Sequence, residues 1–360
     1  MVSDALEKAI NGEELKPPDI ARLFEHDVWE LGMVADSIRR RIFGDLTTFV
    51  VNVILNYTNV CVVACRFCAF YRPKGHPEAY TLSVDDAVKF VAEADRVLNG
   101  VRQVLVQGGI NPDLGIEYYE ELFRGLKAKL PHVAIHGLSP IEVDYISRKH
   151  RMSYREVLER LREAGMDTLA GGGGEILVDD VRARIAPHKI TAETWLRIME
   201  VAHGLGIMSN ATMMYGHVES VSDWAEHLYR ILQLQLKTGG FLSFTAWNFE
   251  PGNSELSREV PYPLTSATLL KVVAVSRIVF RDRLKHIQSS WLTNGLEAAQ
   301  LAMFFGANDF GGTLYGERVI PATGLRMPTL TRRGVVDLIK SIGLRPAERD
   351  NWYRVVKVWD

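Results

Sequence analysis

Val50-Val51-Asn52-Val53-Ile54-Leu55-Asn56-Tyr57-Thr58-Asn59-Val60-Cys61-Val62-Val63-Ala64-Cys65-Arg66-Phe67-Cys68 joins a β-branched apolar run, a short polar turn and three cysteines. Residues 50–55 have the composition of a buried strand. The thiols that follow are the only three in 360 residues, spaced C-x3-C-x2-C. A disulfide framework uses an even number of cysteines spread along a small secreted chain, so three clustered thiols in a long chain point to metal ligation in a reducing compartment. Iron–sulfur clusters are normally held by four thiolates, and three leave one iron open to another ligand. The alternatives are a zinc site completed by His76 or another histidine, or plain buried thiols. A Cys3His zinc site usually pairs C-x2-C knuckles across a longer loop, which this compact triad does not offer.

Outward from this segment, short β-branched runs alternate with longer amphipathic stretches, the βα pattern of a parallel sheet. The further strand candidates are residues 103–106, 133–136, 168–170, 207–213, 241–247, 286–289 and a weak 307–310. Eight such units over residues 46–329 match a (β/α)8 barrel, usually about 250 residues long, with an open doubly wound sheet as the alternative. Residues 1–45 repeat apolar positions at helical spacing and form an N-terminal helical extension. Residues 330–360 form a C-terminal extension, also expected to be helical and given no role beyond packing. Nearly every strand candidate runs into a polar or glycine-rich segment, among them Gln107-Gly108-Gly109, residues 171–175, Tyr215-Gly216-His217-Val218-Glu219, Asn248-Phe249-Glu250 and Asn308-Asp309-Phe310. In a barrel these segments surround one mouth, where active sites of the fold are built.

The composition narrows the function. A formal charge of -2 gives no basic excess for a phosphate backbone, so nucleic acid is not an expected partner. Residues 1–15 mix Asp4, Glu7, Lys8, Glu13 and Glu14 with apolar residues, unlike a secretory signal, and the longest apolar run, near residues 272–280, is interrupted by Ser276 and Arg277. A cytoplasmic enzyme without a membrane span is expected.

The triad spacing closely resembles that of radical S-adenosylmethionine (SAM) enzymes. The resemblance implies a 4Fe-4S cluster on Cys61, Cys65 and Cys68 whose open iron is chelated by the amino and carboxylate groups of SAM. An electron from the cluster then releases a 5'-deoxyadenosyl radical. Phe67 matches the aromatic residue near the adenine. Gln107-Gly108-Gly109 resembles the Gly-Gly strand end that binds the methionine part, glycine allowing close backbone approach. Thr212-Met213-Met214-Tyr215-Gly216-His217-Val218-Glu219 loosely resembles the G-x-I-x-G-x-x-E element, with Thr212 in place of the first glycine and Met214 in place of isoleucine, and implies adenine contacts at Tyr215 and Glu219.

A longer resemblance runs from Asn56-Tyr57-Thr58-Asn59-Val60-Cys61 and Cys68-Ala69-Phe70-Tyr71-Arg72-Pro73 through Ile135-His136-Gly137-Leu138-Ser139-Pro140 and Gly172-Gly173-Gly174-Glu175 to Asn308-Asp309-Phe310-Gly311-Gly312. It is to the menaquinone-pathway enzymes that act on futalosine derivatives and to their deazaflavin-synthase relatives. Gln107 and the Leu138-Ser139-Pro140 turn resemble the cyclic dehypoxanthine futalosine synthase family more than the aminofutalosine synthases. That family implies abstraction of the ribose C4' hydrogen of dehypoxanthine futalosine, addition of the carbon radical to the benzoate ring, and loss of one electron and one proton. It also implies an external one-electron donor such as flavodoxin or ferredoxin. The alternatives are an aminofutalosine synthase, a deazaflavin synthase component, or a zinc-binding barrel without radical chemistry. Arg72, Arg184, His188 or Lys189 could then pair with the benzoate. Glu175, His217, Glu219, Asn248, Glu250 and Asp309 could hold hydroxyls or accept the proton, with Glu175, His217 and Asp309 as the expected catalytic set.

Overall fold

The structure, a computed structural model, describes residues 3–359; Met1, Val2 and Asp360, at the ends of the two extensions, lie outside the described residues. Eleven strands form one sheet: β1 (Leu46–Val50), β2 (Asn52–Leu55), β3 (Gln103–Val106), β4 (Ala134–Gly137), β5 (Thr168–Leu169), β6 (Ser209–Tyr215), β7 (Phe241–Asn248), β8 (His286–Gln288), β9 (Asp309–Gly312), β10 (Arg345–Arg349) and β11 (Val355–Val358). β2 through β9 pair in chain order, all parallel. β9 then pairs with β1, Thr48 opposite Asp309 and Val50 opposite Gly312, and Tyr315 bridges to Val53. Because β1 and β2 are one chain direction broken only at Val51, the sheet returns to its start. It is an eight-stranded α/β barrel, as the strand count predicts. Strands buried on both faces need apolar residues throughout, and Asn52-Val53-Ile54-Leu55 is wholly buried.

Helices alternate with the strands and start where the sequence supplies caps. Ser83 accepts from Asp86 N ahead of helix Val84–Val97, and Ser153 with Glu156 closes a capping box on helix Tyr154–Glu163. The N-terminal extension is helical as expected: Ser3–Asn11, Pro17–Leu23 and Val28–Phe43, the last capped by Asp27. Its buried Leu31, Ala35 and Ile38 face helix Ser266–Phe280. The apolar run at residues 272–280 is therefore a core helix, buried between the barrel and the N-terminal helices. No helix among the described residues is long and apolar enough to cross a membrane.

The C-terminal extension corrects the expectation of a purely helical segment. After helix Arg332–Ser341, β10 lies parallel to β1 and β11 antiparallel to β10. The turn after β10 closes the amino-terminal end of the barrel. Asn351 Oδ1 accepts from Gln103 Nε2 at 2.7 Å, Gln288 Nε2 donates to Tyr353 Oη at 2.8 Å, and the Tyr353 ring stacks on His286 with centroids 4.2 Å apart. Arg349 grips Asp309 through Nε and Nη2 at 2.5 and 3.1 Å.

Candidate active site

At the carboxyl-terminal end of the barrel a cavity of about 380 Å3 opens among the strand ends, within the usual size for small-ligand sites. Cys61, Cys65 and Cys68 all line it, with Phe67, Gln107, Gly108, Gly109, Glu175, Lys189, Asn248 and Glu250. The cysteine loop is pinned by backbone bonds on three sides: Cys61 N to Arg72 O, Val62 N to Ile110 O, and Arg66 N to Ile185 O. Ala64 takes the left-handed conformation at φ 49°, costly for a residue with a Cβ and fitting a loop shaped for its thiols. Val63, Ile110, Ile185, Met214, Phe249 and Leu256 pack around Cys65 as an apolar wall.

Burial pushes the Cys65 thiol up to about 12, against the pull of the nearby Lys189 ammonium, and raises Cys68 also. Such thiols become thiolates only when a bound cation compensates them. His76, the alternative fourth ligand of a zinc site, accepts from Glu78 N through Nδ1 and does not line this cavity. The donor set is three thiols on one cavity wall, which fits a cluster with one iron left open. Three buried polar atoms of cavity residues, Glu175 Oε2, Thr245 Oγ1 and Asn248 Oδ1, make no hydrogen bond within the protein, which fits a polar ligand in the cavity.

Gly108 and Gly109 reach the cavity, but the reason for glycine differs from the expected open approach. A Cβ on Gly109 would lie 2.2 Å from Val60 O, and one on Gly108 2.8 Å from the Tyr57 ring. The Gly-Gly turn is packed against the cysteine loop itself. Beneath it, Tyr57 donates to Glu142 Oε1 at 2.7 Å, and burial pushes that carboxyl up to about 7. Gly109→Ala is therefore expected to displace Val60 and lower the iron and sulfide bound per chain severalfold. Full iron content in the purified variant would assign the glycine to the turn alone.

Glu175 follows Gly173, whose φ of +82° shapes the β5 turn, and Lys189 Nζ donates to its Oε1 at 2.8 Å while lying 4.8 Å from the Phe67 ring centroid. Of the four expected cationic anchors, only Lys189 lines the cavity. Arg72 binds the carbonyls of Ala69 and Tyr71 and pairs with Glu78, Arg184 donates to Val218 O, and His188 is exposed.

Four other expected site residues lie outside the cavity. The expected catalytic Asp309 begins β9 rather than ending it, and at the barrel floor its carboxylate is taken up by Arg349 and by Thr48 Oγ1 at 2.6 Å. Alternation along β6 turns Asn210, Thr212 and Met214 inward and Tyr215 outward, where its hydroxyl donates to Asn294. His217 and Glu219 pair with each other, Nδ1 to Oε2 at 2.6 Å, both side chains buried. Glu219 also accepts from Gly216 N, His217 N and Trp224 Nε1, so the pair braces the turn after β6. The sequence reading missed His136, Asn210, Thr245 and Gln288, which line the deep end of the cavity. Period-two alternation along their strands is the signal that would have found them.

Comparison with known proteins agrees with this geometry. Residues 55–231 match the family described as the radical SAM superfamily and residues 238–359 match the CofH/MqnC C-terminal region. The chain is 39% identical, over 100% of its length and 96% of the relative, to cyclic dehypoxanthine futalosine synthase of Halalkalibacterium halodurans. It is 38% identical, over 98% and 95%, to aminodeoxyfutalosine synthase of Thermus thermophilus. It is 37% identical, over 96% and 98%, to 5-amino-6-(D-ribitylamino)uracil--L-tyrosine 4-hydroxyphenyl transferase of Methanocaldococcus jannaschii. The maturase HydG of Carboxydothermus hydrogenoformans shares the fold at a TM-score of 0.76 and 17% identity, covering 98% of this chain and 80% of that one. With its triad at the mouth of the barrel and relatives of this identity along its whole length, the chain belongs to the radical SAM superfamily, whose members use a 4Fe-4S cluster and SAM, and within it to the family of the futalosine synthases and 4-hydroxyphenyl transferases.

Proposed function

We propose that this enzyme is a cyclic dehypoxanthine futalosine synthase of menaquinone biosynthesis, acting in the cytoplasm with an external one-electron donor such as flavodoxin or ferredoxin. The observation that carries the reading is the single cavity joining the three thiols to the polar strand ends of a barrel 39% identical to such a synthase over its whole length. When bound, the cluster and SAM supply a 5'-deoxyadenosyl radical.

The residues of the chain do the rest by position. Cys61, Cys65 and Cys68 hold the cluster, and the Gln107-Gly108-Gly109 turn and Phe67 border the space for SAM beside it. Glu175 is held by Lys189, and its Oε2, 3.9 Å from Arg182 Nη1, makes no hydrogen bond, so it can accept from a hydroxyl or ammonium of the bound molecules. The buried His217–Glu219 pair fixes the turn after β6 and acts on the site only through Met214 and the backbone there. A hydrogen atom moves between two carbons only when they are held near contact, so one cavity would have to seat SAM and substrate side by side.

The test follows one hydrogen. With deuterium at C4' of dehypoxanthine futalosine, the cyclase yields deuterated free 5'-deoxyadenosine together with the cyclic product. An aminodeoxyfutalosine synthase instead keeps the adenosyl group in a product formed from an enolpyruvyl benzoate. That outcome, with no turnover of dehypoxanthine futalosine, overturns the cyclase reading.

A further inference from the structure

Restoring aromaticity after the ribose radical adds to the ring takes away one proton and one electron. The ring C–H bond breaks, its electron pair stays in the ring and the proton needs an acceptor. The one surplus electron passes to a one-electron carrier of the flavin or iron–sulfur class. On the proposed cyclase reading, the geometry points to Glu250 as the base that accepts this proton.

The other carboxylates near the cavity are engaged elsewhere or lie outside it. Glu175 is tied to Lys189, and Glu317 accepts from the backbone N–H groups of Val319 and Ile320 at 2.5 and 2.9 Å. Asp309 and Glu219 lie outside the cavity, closed by Arg349 and by His217. Glu250 lines the cavity directly after β7 and makes no hydrogen bond or ion pair among the described residues. It stands beside Trp247, Asn248 and Phe249, which line the same wall, at the strand end where barrel enzymes place reacting groups.

Its setting also suits a base. Half-buried with no cation to hold its charge, the carboxyl is pushed up to about 7 by burial, near the working pH of an efficient proton acceptor. The phenol of Tyr215 feels this charge, while its hydroxyl is turned to Asn294. The other ionisable groups around the cavity are Tyr71, His136, Glu175, Lys189, Glu317 and the three thiols.

The experiment compares the reconstituted parent with Glu250→Gln and Glu250→Asp in a single turnover, with enzyme in excess over C4'-deuterated dehypoxanthine futalosine, measuring the rates at which cyclic product and deuterated 5'-deoxyadenosine form separately. In the parent, product formation should rise with pH through about 7 as the carboxylate ionises. Glu250→Gln should lose that limb and about 10^2- to 10^4-fold of product formation, the usual worth of a general base. Its deuterated 5'-deoxyadenosine should stay within about threefold of the parent, because abstraction precedes the proton transfer; Glu250→Asp should keep the pH limb. If the two products fall together in Glu250→Gln, or if the pH limb persists there, Glu250 is not the base. Should Glu250→Gln fail to load iron, the decision passes to Glu250→Asp, where a lost limb overturns the assignment. Absence of cyclic product from the parent overturns the cyclase reading itself, a result distinct from any change in the variants.

Discussion

Replacing any one of Cys61, Cys65 or Cys68 by alanine is expected to remove the 4Fe-4S cluster or leave it unable to cleave SAM. Formation of 5'-deoxyadenosine should fall to background, a loss of about 10^6-fold or more, the scale of ordinary enzymatic acceleration. The effect should be equal at the three positions, because the chain has no fourth thiol to substitute and two thiolates leave two irons without protein ligands. Iron and sulfide content, the cluster absorbance and SAM cleavage of anaerobically reconstituted protein are the measurements. The circular dichroism of each variant should match the parent, since the barrel is held by a core that does not depend on the loop. A cysteine variant that cleaves SAM at the parental rate would remove that cysteine from the cluster.

The barrel and the triad were legible because each is written locally. Strands buried on both faces are rich in apolar, β-branched residues, so seven of the barrel strands stand out as short runs, while the last, Asp309-Phe310-Gly311-Gly312, has no β-branched residue and is faint; several of the ends shift by a residue or more. Such a shift decides a side chain's fate. Reading the last barrel strand as residues 307–310 rather than Asp309–Gly312 moves Asp309 from the floor to the mouth. The expectation of Tyr215 and Glu219 at the cofactor rests on the loose resemblance of residues 212–219 to the G-x-I-x-G-x-x-E element, which does not say which way each side chain points. Alternation and the Gly216 turn, with φ +89°, instead send Tyr215 outward and fold Glu219 onto His217. The floor was illegible for another reason. Arg345-Pro346-Ala347-Glu348-Arg349 has too few apolar residues to read as a strand. What makes it one is distant in sequence: Glu348 takes Arg102 at 2.8 Å and Arg332 at 2.9 Å, and Arg349 takes Asp309.

That last pair is the second place where a large effect is expected. Arg349 and Asp309 are 1% and 0% exposed, so removing one partner leaves a charge with no water to solvate it. Arg349→Met should therefore destabilise the fold by about 3–5 kcal/mol, read as a lowered midpoint of chemical unfolding with an unchanged slope. Asp309→Asn should cost less, since the amide keeps an acceptor for the Arg349 guanidinium, which also lies 3.7 Å from the Tyr353 ring. The double variant, Asp309→Asn with Arg349→Met, should recover part of the loss, because two neutral groups in the same volume have no desolvated charge to compensate. Two losses that add fully would show that the pair is not coupled and that Arg349 acts by packing alone. The floor also bears on the chemistry above it. Arg349 lies 3.7 Å from the Tyr353 ring, and Tyr353 accepts from Gln288, which lines the cavity. A loosened floor should thus weaken substrate turnover while leaving iron content unchanged, since the cysteine loop is anchored at the opposite end of the barrel to Ile110, Ile185 and Arg72.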